Sequence, residues 1–471
     1  MRFFYASITV VALLSGCAST GDWSSDTPTK GGSRKATRVN LKTQSVSKVY
    51  APSDNLWLRI RDGFQMEPMN SPLEIEQVRS LSARPDYVNR SMARSSRYLF
   101  YIVQEVNARN MPTEIALLPF VESAFVTNAK SSAKAVGLWQ FMPATGKDFQ
   151  LTQNVFRDER RDVLQSTDAA LDYLQRLNNQ FGSWELALAA YNWGAGNVLK
   201  AQKRNQAAGL PIDYGSLTMP RETRMYVPKL MAYRQIVMDP EAYGIMLPQL
   251  ENHPYFVAID VDSDIDVALA IKLAEIPEDE FHSLNPSFNK PVILSNANQQ
   301  ILLPFGHAEI FQANLKLFNK PLSTWTAVKV SKTESVDLVA KGLGVDADSL
   351  RQVNGIPRGM RIKAGSTIII PKTNGRAGDV SSAMADNASL SLEKPPPPAP
   401  KCPKPAKGTK ASKSGKCALS TPNKGNSSGK STVSQHKSAS TGLAKSAKNG
   451  SSPTLKANST SNAAKGGNKN Q

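Results

Sequence analysis

The sequence predicts an α+β protein of several domains: an all-helical domain, two small β-α-α-β units and a disordered tail. Three observations support this prediction. Between residues 55 and 245, apolar residues recur at helical spacing and no strand-like alternation occurs. β-prone runs and short helical patterns then follow one another twice in the same order. After Lys372 the chain is rich in Lys, Ser, Gly, Asn and Pro.

The composition limits the classes of partner. With 471 residues the chain has room for roughly three domains, and its 40% of hydrophobic residues is enough for folded cores. The net charge of +18 is concentrated at one end, because fifteen lysines and Arg376 outnumber three acidic residues after Lys372. Since this charge lies in a low-complexity tail rather than on a folded face, we expect no nucleic acid partner.

The N-terminus has the pattern of an export signal. An apolar run from Phe3 to Leu14 is too short to span a bilayer, as in a secretory signal peptide. The run ends in Leu14-Ser-Gly-Cys17, which resembles the bacterial lipobox. We therefore expect residues 1–16 to be a removed signal peptide and Cys17 to be lipidated. The alternative is an ordinary signal peptide with a chance cysteine.

The residues after Cys17 suggest an anchored protein on a tether. By resemblance to bacterial lipoproteins, Ala18 in the next position favours an outer-membrane anchor that faces the periplasm. Residues 17–50 are rich in Ser, Thr, Gly and Lys and are expected to form a flexible tether. No other stretch of the sequence is apolar for long enough to cross a bilayer.

Helical patterns fill the next two hundred or so residues. Residues 51–110 are expected to form a helical lead-in, with one amphipathic helix from Tyr98 to Val106. Residues 111–245 are expected to form the main helical domain, and Pro112 suits the start of a helix there. Capping residues, glycine stops and apolar spacing predict further helices from Ser166 to Gly182, Glu185 to Tyr191 and Glu222 to Met238.

One carboxyl in the helical region has an unusual setting. Glu122 is flanked by Phe120, Val121, Ala124 and Phe125, so we expect it at the rim of a core. Because burial disfavours the charged form of a carboxyl, the pKa of Glu122 is expected to be raised, as general-acid work near neutral pH requires. The alternative is a structural carboxyl that its neighbours satisfy.

The two β-α-α-β units are expected at residues 250–306 and 324–372. Their β-prone runs are Phe256 to Val261, Gln300 to Pro304, Thr326 to Val330 and Thr367 to Pro371. Residues 373–471 are expected to be disordered, because few of their side chains are apolar enough to drive burial.

Metal and cofactor chemistry is not expected. The three cysteines, Cys17, Cys402 and Cys417, lack the spacing of a metal site, and the four histidines are scattered. Cys402 and Cys417 could pair in an oxidising compartment. We therefore predict neither a metal nor a cofactor.

Four motifs occur in the order found in one enzyme family. They are Val121-Glu-Ser-Ala-Phe125, Gly137-Leu-Trp-Gln140, Ala190-Tyr-Asn192 and Glu222-Thr-Arg-Met-Tyr226. With these motifs, the run from about Leu56 to Met238 resembles the lytic transglycosylases of glycoside hydrolase family 23. The resemblance implies a helical catalytic domain of the goose-type lysozyme fold that acts on peptidoglycan.

The resemblance also implies a reaction. Glu122 would protonate the oxygen of the β-1,4 bond between MurNAc and GlcNAc. As a carboxylate it would then remove a proton from the muramic acid 6-hydroxyl, which closes a 1,6-anhydro ring without water. A hydrolase of this kind uses a second carboxylate, and we interpret the nearby acidic residues Asp158, Glu159 and Asp162 as structural.

The remaining motif residues imply a substrate cleft. Tyr226 is expected to hydrogen-bond Glu122, and Gly137 is expected to let backbone and saccharide approach closely. The residues expected to contact substrate are Ser123, Gly137, Leu138, Trp139, Gln140, Tyr191, Asn192 and Tyr226. Alternatively, the side chains of Trp139, Phe141 and Trp193 could be plain core.

The second β-α-α-β unit resembles the lysin motif (LysM), which binds glycans that contain N-acetylglucosamine. The matching pieces include Leu350-Arg-Gln-Val-Asn354 and Ile362-Lys-Ala-Gly365. The motif's usual Gly-Asp-Thr is replaced by Lys332-Thr-Glu334. The first unit departs further from the motif, and a purely structural role for it stays open.

Three functions remain open on the sequence. The first is a lipid-anchored lytic transglycosylase in the periplasm, with peptidoglycan strands and the membrane as its partners. The second is a catalytically silent tether that binds the cell wall through its LysM units. The third is a muramidase-type hydrolase in which a second carboxylate activates water.

Overall fold

The computed structural model describes residues 54–295, 300–372 and 378–395. The predicted signal peptide, tether, lipidated Cys17 and Cys402–Cys417 pair lie outside these residues. A helical domain comes first, as predicted, with a 3₁₀ turn at Thr113–Leu117 before its fifth helix. Its α-helices are α1 (Leu56–Asp62), α2 (Pro72–Ser82), α3 (Pro85–Ser95), α4 (Leu99–Ala108), α5 (Leu118–Glu122), α6 (Pro143–Asp148), α7 (Val163–Phe181), α8 (Trp184–Trp193), α9 (Ala195–Ala207) and α10 (Arg221–Met238).

Local sequence signals set the ends of several helices. The Ser71 hydroxyl accepts a hydrogen bond from the Glu74 backbone N–H at 3.2 Å and caps α2. The Asp162 carboxylate caps α7 by accepting from two backbone N–H groups, each at 3.0 Å. Gly182 ends α7 in the left-handed conformation, with φ of 69°. These caps pair backbone groups that a helix end leaves without partners.

Helix α10 lies at the centre of the helical domain. It packs against α2, α8 and α5, and its side chains Leu230, Met231 and Tyr233 are fully buried. The ring of Tyr233 stacks on Phe120 of α5, with centroids 5.1 Å apart. This packing fixes α5, whose last residue is Glu122.

A buried carboxylate connects the lead-in to the main domain. Glu114 is fully buried and accepts hydrogen bonds from the backbone N–H groups of Gln65 and Met66, at 3.1 and 3.0 Å. Arg234 of α10 pairs with the same carboxylate at 3.1 Å. One continuous hydrophobic core therefore includes residues on both sides of the boundary that the sequence predicts at residue 110.

Both predicted β-α-α-β units are present. In the first, the outer strands pair antiparallel with Phe256 opposite Pro304, and in the second the outer strands pair antiparallel with Trp325 opposite Pro371. An additional helix, α13, follows the first unit. The elements are β1 (Phe256–Asp260), β2 (Ile265–Asp266), α11 (Val267–Ala274), α12 (Glu278–Leu284), β3 (Val292–Ile293), β4 (Gln300–Pro304), α13 (Phe305–Leu317), β5 (Trp325–Lys329), β6 (Glu334–Ser335), α14 (Val336–Leu343), α15 (Ala347–Asn354), β7 (Arg361–Ile362) and β8 (Thr367–Pro371).

The first β-α-α-β unit docks on the helical domain through charged and polar contacts. Arg97, just before α4, donates from Nε and Nη2 to the carboxylate of Glu280 on α12, at 2.9 and 2.6 Å. Tyr255 donates to the same carboxylate at 2.8 Å, and the Tyr98 hydroxyl donates to the Ser283 carbonyl at 2.9 Å. Because a bidentate arginine–carboxylate pair is directional, it fixes the orientation of the first unit as well as its distance from the helical domain.

The prediction that residues 373–471 are disordered is wrong for residues 378–395. This stretch contains α16 (Ser382–Asp386) and β9 (Leu392–Glu393), and β9 pairs antiparallel with β7. The reason lies in its few apolar residues, since Val380, Ala385 and Ala388 are buried against residues of both β-α-α-β units and against Phe156 of the helical domain.

The structure gives two further findings on chemistry and location. No helix of the described ranges is both long and apolar enough to span a bilayer. Within the same ranges, no cluster of His, Cys, Asp and Glu side chains could hold a metal ion.

Candidate active site

Glu122 stands at the end of a short helix that the core holds in place. Leu118 and Phe120 of α5 are fully buried, whereas the Glu122 side chain at its last position is only half-buried. The next residues turn sharply, because Ala124 and Phe125 both have left-handed backbone, with φ of 50° and 59°. Such a conformation is unfavourable for residues with a side chain, and the burial of Phe125 against Phe120 holds it.

The surroundings of Glu122 shift its protonation. Burial raises the pKa of Glu122 to about 7, opposed by the hydrogen bond from Tyr226 and by the positive charge of Lys229. The raised pKa that the apolar neighbours predict is thus confirmed. A carboxyl with this pKa can hold its proton near neutral pH and can also release it there, which suits a group that acts first as acid and then as base.

Tyr226 supplies the hydrogen bond. It is buried on α10, and its hydroxyl donates to Oε1 of Glu122, as the sequence predicts. Burial and the neighbouring Glu122 carboxyl raise the pKa of Tyr226 well above its ordinary value, so the phenol keeps its proton. Because α10 is the central helix of the domain, Tyr226 holds the Glu122 carboxyl against a rigid support.

Two more predicted residues lie beside Glu122. Ser123 and Gln140 line, with Glu122, an open cavity of about 500 Å³. The Ser123 hydroxyl donates to the Leu138 carbonyl at 3.0 Å, and the Gln140 side-chain amide donates to the Gly137 carbonyl at 2.8 Å. These bonds connect the turn after Glu122 to the Gly137-Leu-Trp-Gln140 turn.

The side chains of Leu138 and Trp139 cannot make the predicted contacts with substrate. Both side chains are fully buried, and the Trp139 indole N–H donates to the hydroxyl of buried Thr167 at 3.0 Å. A side chain enclosed in this way cannot reach a saccharide at the surface. The alternative, that Trp139 is core, is the correct one.

Gly137 closely approaches another part of the protein backbone. Gly137 has φ of 85°, and a Cβ built there would lie 2.2 Å from the backbone oxygen of Arg160. Glycine is therefore required for the backbone to pass Arg160.

The described lining of the cavity does not include Tyr191 and Asn192. The Tyr191 hydroxyl donates to the Trp139 carbonyl at 2.8 Å, and burial and the Glu122 charge raise the pKa of Tyr191 well above its ordinary value. The Asn192 side-chain oxygen accepts from the Thr223 hydroxyl at 2.8 Å. Both residues connect α8 to the neighbouring elements of the site.

The acidic cluster after the cavity is structural, as interpreted from the sequence. Asp158 pairs with Arg160 at 2.8 Å and Glu159 pairs with Arg157 at 3.1 Å. Asp162 caps α7 and also accepts from the Ser287 hydroxyl at 3.1 Å. Of the described residues that line the cavity, Glu122 alone carries a carboxyl.

The sequence motifs do not predict the cations of the cavity. Arg94 of α3, Lys130 and Lys229 of α10 all line it. Lys229 lies three residues after Tyr226 on one helix, so this spacing could have placed it on the same face. No local pattern predicts Arg94, because tertiary packing of α3 brings it to the cavity.

Two known families match parts of the chain. Residues 101–210 match the Transglycosylase SLT domain, and residues 255–320 match a family described as the LysM-like domain of lytic transglycosylase MltD. The chain is 32% identical over 394 residues to the membrane-bound lytic murein transglycosylase D of Escherichia coli strain K12. That overlap covers 80% of this chain and 85% of the relative.

Two solved structures share a shorter stretch with the chain. The 70 kDa soluble lytic transglycosylase of Escherichia coli is 23% identical, with a TM-score of 0.25, over 36% of this chain and 31% of that one. An inactive variant of the lytic transglycosylase Slt from Pseudomonas aeruginosa is 25% identical, with a TM-score of 0.23, over 31% of this chain and 24% of that one.

Proposed function

We propose that this chain, which belongs to the membrane-bound lytic murein transglycosylase D family and is therefore a peptidoglycan-cleaving lyase, uses Glu122 as its single acid and base. The bond cleaved is the β-1,4 bond between MurNAc and GlcNAc. In the first step the protonated Glu122 gives its proton to the glycosidic oxygen as the bond from that oxygen to C1 breaks. The N-acetyl group of the muramyl unit supports the positive charge that develops at C1.

In the second step Glu122 acts as a carboxylate. It takes the proton of the muramyl 6-hydroxyl while that oxygen forms a bond to C1, which gives a 1,6-anhydro end and returns Glu122 to its acid form. The Tyr226 hydroxyl and the Lys229 charge favour the carboxylate between the two steps. The pKa of about 7 makes both proton transfers accessible to one group near neutral pH.

One observation favours internal transfer over hydrolysis. A hydrolase of this type places a second carboxyl about 5–9.5 Å from the acid, but Glu122 is the only carboxyl of the cavity among the described residues. Glu222, whose charge raises the pKa of Glu122, is exposed at the start of α10 and does not line the cavity. A water-activating base is therefore missing from the described lining.

The products of peptidoglycan digestion test this proposal. We expect mass spectrometry of the soluble fragments to show muropeptides with 1,6-anhydro ends, each lighter by one water than its hydrolysed counterpart. Hydrated reducing ends would instead indicate a muramidase. A protein that sediments with insoluble peptidoglycan but releases no fragments would be a silent tether, so both binding and release are measured in one experiment.

The other predicted residues have supporting roles in this proposal. Ser123 and Gln140 contact the sugars from the cavity wall, and Tyr226 orients Glu122. Gly137, Leu138 and Trp139 act through the backbone, because carbonyls of this turn accept the hydrogen bonds of Gln140, Ser123 and Tyr191. Asn192 holds α8 against α10 through Thr223.

The domain roles are part of the same proposal. Residues 111–245 form the catalytic domain on the lead-in of residues 51–110, and residues 324–372 bind the N-acetylglucosamine units of the wall. Residues 250–306 are the degenerate LysM-like unit, and the Arg97–Glu280 pair supports a structural role for it. The rest of the predicted tail, residues 396–471, lies outside the described residues.

We also propose that the N-terminal residues determine the location of the protein. Residues 1–16 direct export, Cys17 is lipidated, and residues 17–50 tether the enzyme to the outer membrane on its periplasmic side. We expect Cys17→Ser to move the protein from the outer-membrane fraction to the soluble periplasmic fraction, because a thioether-linked lipid cannot form on serine. The relative from Escherichia coli is described as membrane-bound. Unchanged membrane fractionation of the Cys17→Ser protein would contradict the anchor.

A further inference from the structure

The cavity beside Glu122 has an excess of positive charge. Three of its lining side chains are cationic and one is a carboxyl. Glu122 is neutral when it is ready to act as an acid, so the cations are then unbalanced within the cavity. The cationic residues are Arg94, Lys130 and Lys229.

Arg94 is held in place but keeps donors free. It is half-buried on α3, and its Nε donates to the Ala124 carbonyl at 2.8 Å, in the left-handed turn after Glu122. Its two Nη groups have neither a hydrogen bond nor an ion pair within residues 54–295, 300–372 and 378–395. Burial lowers the pKa of Arg94, because no carboxylate compensates the charge.

Lys229 is in a similar state on the other side of Glu122. It is half-buried, and its ammonium donates to the Val121 carbonyl at 3.2 Å. It forms no ion pair with any residue that the structure describes. Burial lowers the pKa of Lys229, and the Glu122 charge raises it by less.

Several other half-buried or buried arginines of the same fold are paired with carboxylates. Arg97 meets Glu280 at 2.6 Å, Arg160 meets Asp158 at 2.8 Å, and Arg234 meets Glu114 at 3.1 Å. Cations that are removed from water are normally paired, because an uncompensated buried charge is unfavourable. Arg94 and Lys229 lack such a pair, as Arg161 and Lys290 do elsewhere in the described residues, but Arg94 and Lys229 both line the cavity that holds Glu122.

We propose that Arg94 and Lys229 bind a carboxylate of the substrate in the cavity beside Glu122. The inference rests on the proposed function. In peptidoglycan, only the muramyl unit carries the lactyl ether and the peptide attached to it, whereas the alternating glucosaminyl unit has no acidic group. Every linkage joins one muramyl and one glucosaminyl unit, so the two kinds of linkage differ only in which unit supplies the C1 that reacts. A carboxylate site for the unit that supplies C1 places the muramyl unit on that side of the bond, so that the chain is cut at every second linkage and not at the one between.

Two sources can supply the carboxylate. One is the lactyl group of a muramyl unit that has lost its peptide, and the other is a carboxylate of the attached peptide. Four substrates separate them: glycan chains with and without peptides, each as the free acid and after conversion of its carboxylates to neutral amides. The measured quantity is kcat/KM for formation of 1,6-anhydro ends, with kcat and KM reported separately.

We expect the wild-type protein to cleave at least one acidic substrate about tenfold more efficiently than its neutral counterpart, through KM, as expected for a charged hydrogen bond. A preference confined to peptide-free chains identifies the lactyl carboxylate, and one confined to peptide-bearing chains identifies the peptide. Arg94→Gln should reduce this preference to near equality, and Arg94→Lys should restore part of it. Arg109→Gln, in a partly exposed ion-pair cluster between the end of α4 and α7, should leave the preference intact.

Equal cleavage of acidic and neutral substrates by the wild-type protein would overturn the proposal without use of any variant. If Arg94→Gln lowered kcat/KM equally for the acidic and the neutral substrate, the proposal would also be overturned. The Arg94 side chain would then act only by supporting the turn at Ala124. In either case, continued release of anhydro products by the wild-type protein would leave the proposed function standing.

Discussion

Glu122→Gln is expected to lower the rate of 1,6-anhydro product release by roughly a thousandfold, the usual contribution of a general acid and base at one position. Glutamine has nearly the same shape and can accept the Tyr226 hydrogen bond, but it cannot give a proton to the leaving oxygen. The rate is measured by mass spectrometry of fragments from insoluble peptidoglycan. An unchanged rate would show that Glu122 is not the acid.

The matched control for this variant is Glu222→Gln. Glu222 is exposed on α10 and influences Glu122 only through its charge. We expect the rate to stay within about twofold of the wild type, because interactions of exposed charges are weak. A loss comparable to that of Glu122→Gln would identify Glu222 as a second catalytic carboxylate and would contradict the single-carboxyl mechanism.

The pH dependence of kcat/KM is a second test of the role of Glu122 as the acid. Only the protonated Glu122 of the free enzyme can start the reaction, so kcat/KM should fall as pH rises through about 7. Tyr226→Phe removes a hydrogen bond that lowers this pKa, so the fall should move to higher pH. A structural role for Tyr226 would reduce the rate without moving the profile.

Trp139→Ala is expected to lower the free energy of unfolding by about 3–5 kcal/mol, as for other large-to-small changes of buried aromatic residues. The indole is fully buried, and its N–H is bonded to Thr167. The variant therefore loses apolar burial and leaves a buried hydroxyl without its partner. Denaturant unfolding of the full chain without substrate measures the effect.

The control for Trp139→Ala is Trp193→Ala at the end of α8. Trp193 is only partly buried, so its removal should change the unfolding free energy by about 1 kcal/mol. If Trp139→Ala unfolded at the wild-type denaturant concentration and only raised KM, the indole would contact substrate in solution. The assignment of Trp139 to the core would then be wrong.

The contact between Glu122 and Tyr226 could be predicted from the sequence because each residue leaves a local signal. Glu122 stands among apolar residues, which predict its raised pKa, and Tyr226 belongs to a motif that recurs in the resembled family. Their hydrogen bond joins positions more than a hundred residues apart. The order of the motifs, rather than periodicity, predicted that contact.

The orientation of the Gly137-Leu-Trp-Gln140 turn could not be predicted in the same way. Aromatic side chains occur both in hydrophobic cores and at saccharide-binding surfaces. The residue type therefore does not decide whether the side chain of Trp139 points inward or outward. In the structure, the left-handed backbone of Gly137 and Gln140 directs Gln140 to the cavity and Trp139 inward. The carbonyl of Arg160, which requires glycine at 137, comes from a distant part of the sequence.

The composition after Lys372 also led to a wrong prediction of where the fold ends. Residues 378–395 have the small and polar residues typical of the tail, and their few apolar side chains carry no visible period. Residues 378–395 are ordered because they dock on elements that precede them in the chain. The edge of β7 pairs with β9, and buried Asp264 accepts a hydrogen bond from the Val380 backbone N–H at 2.9 Å. Such docking depends on the partner surface and cannot be read from the segment alone.

The dependence of Glu122 on α10 has a consequence for the order of assembly. The acid lies early in the chain, whereas Tyr226 and Lys229, which adjust its pKa, arrive only with α10. Contacts between distant positions form late, because the intervening chain must first be closed into a loop. The nascent chain would therefore hold Glu122 as an ordinary carboxylic acid until α10 has been made and packed. We therefore expect the chain to become active only when its fold is complete.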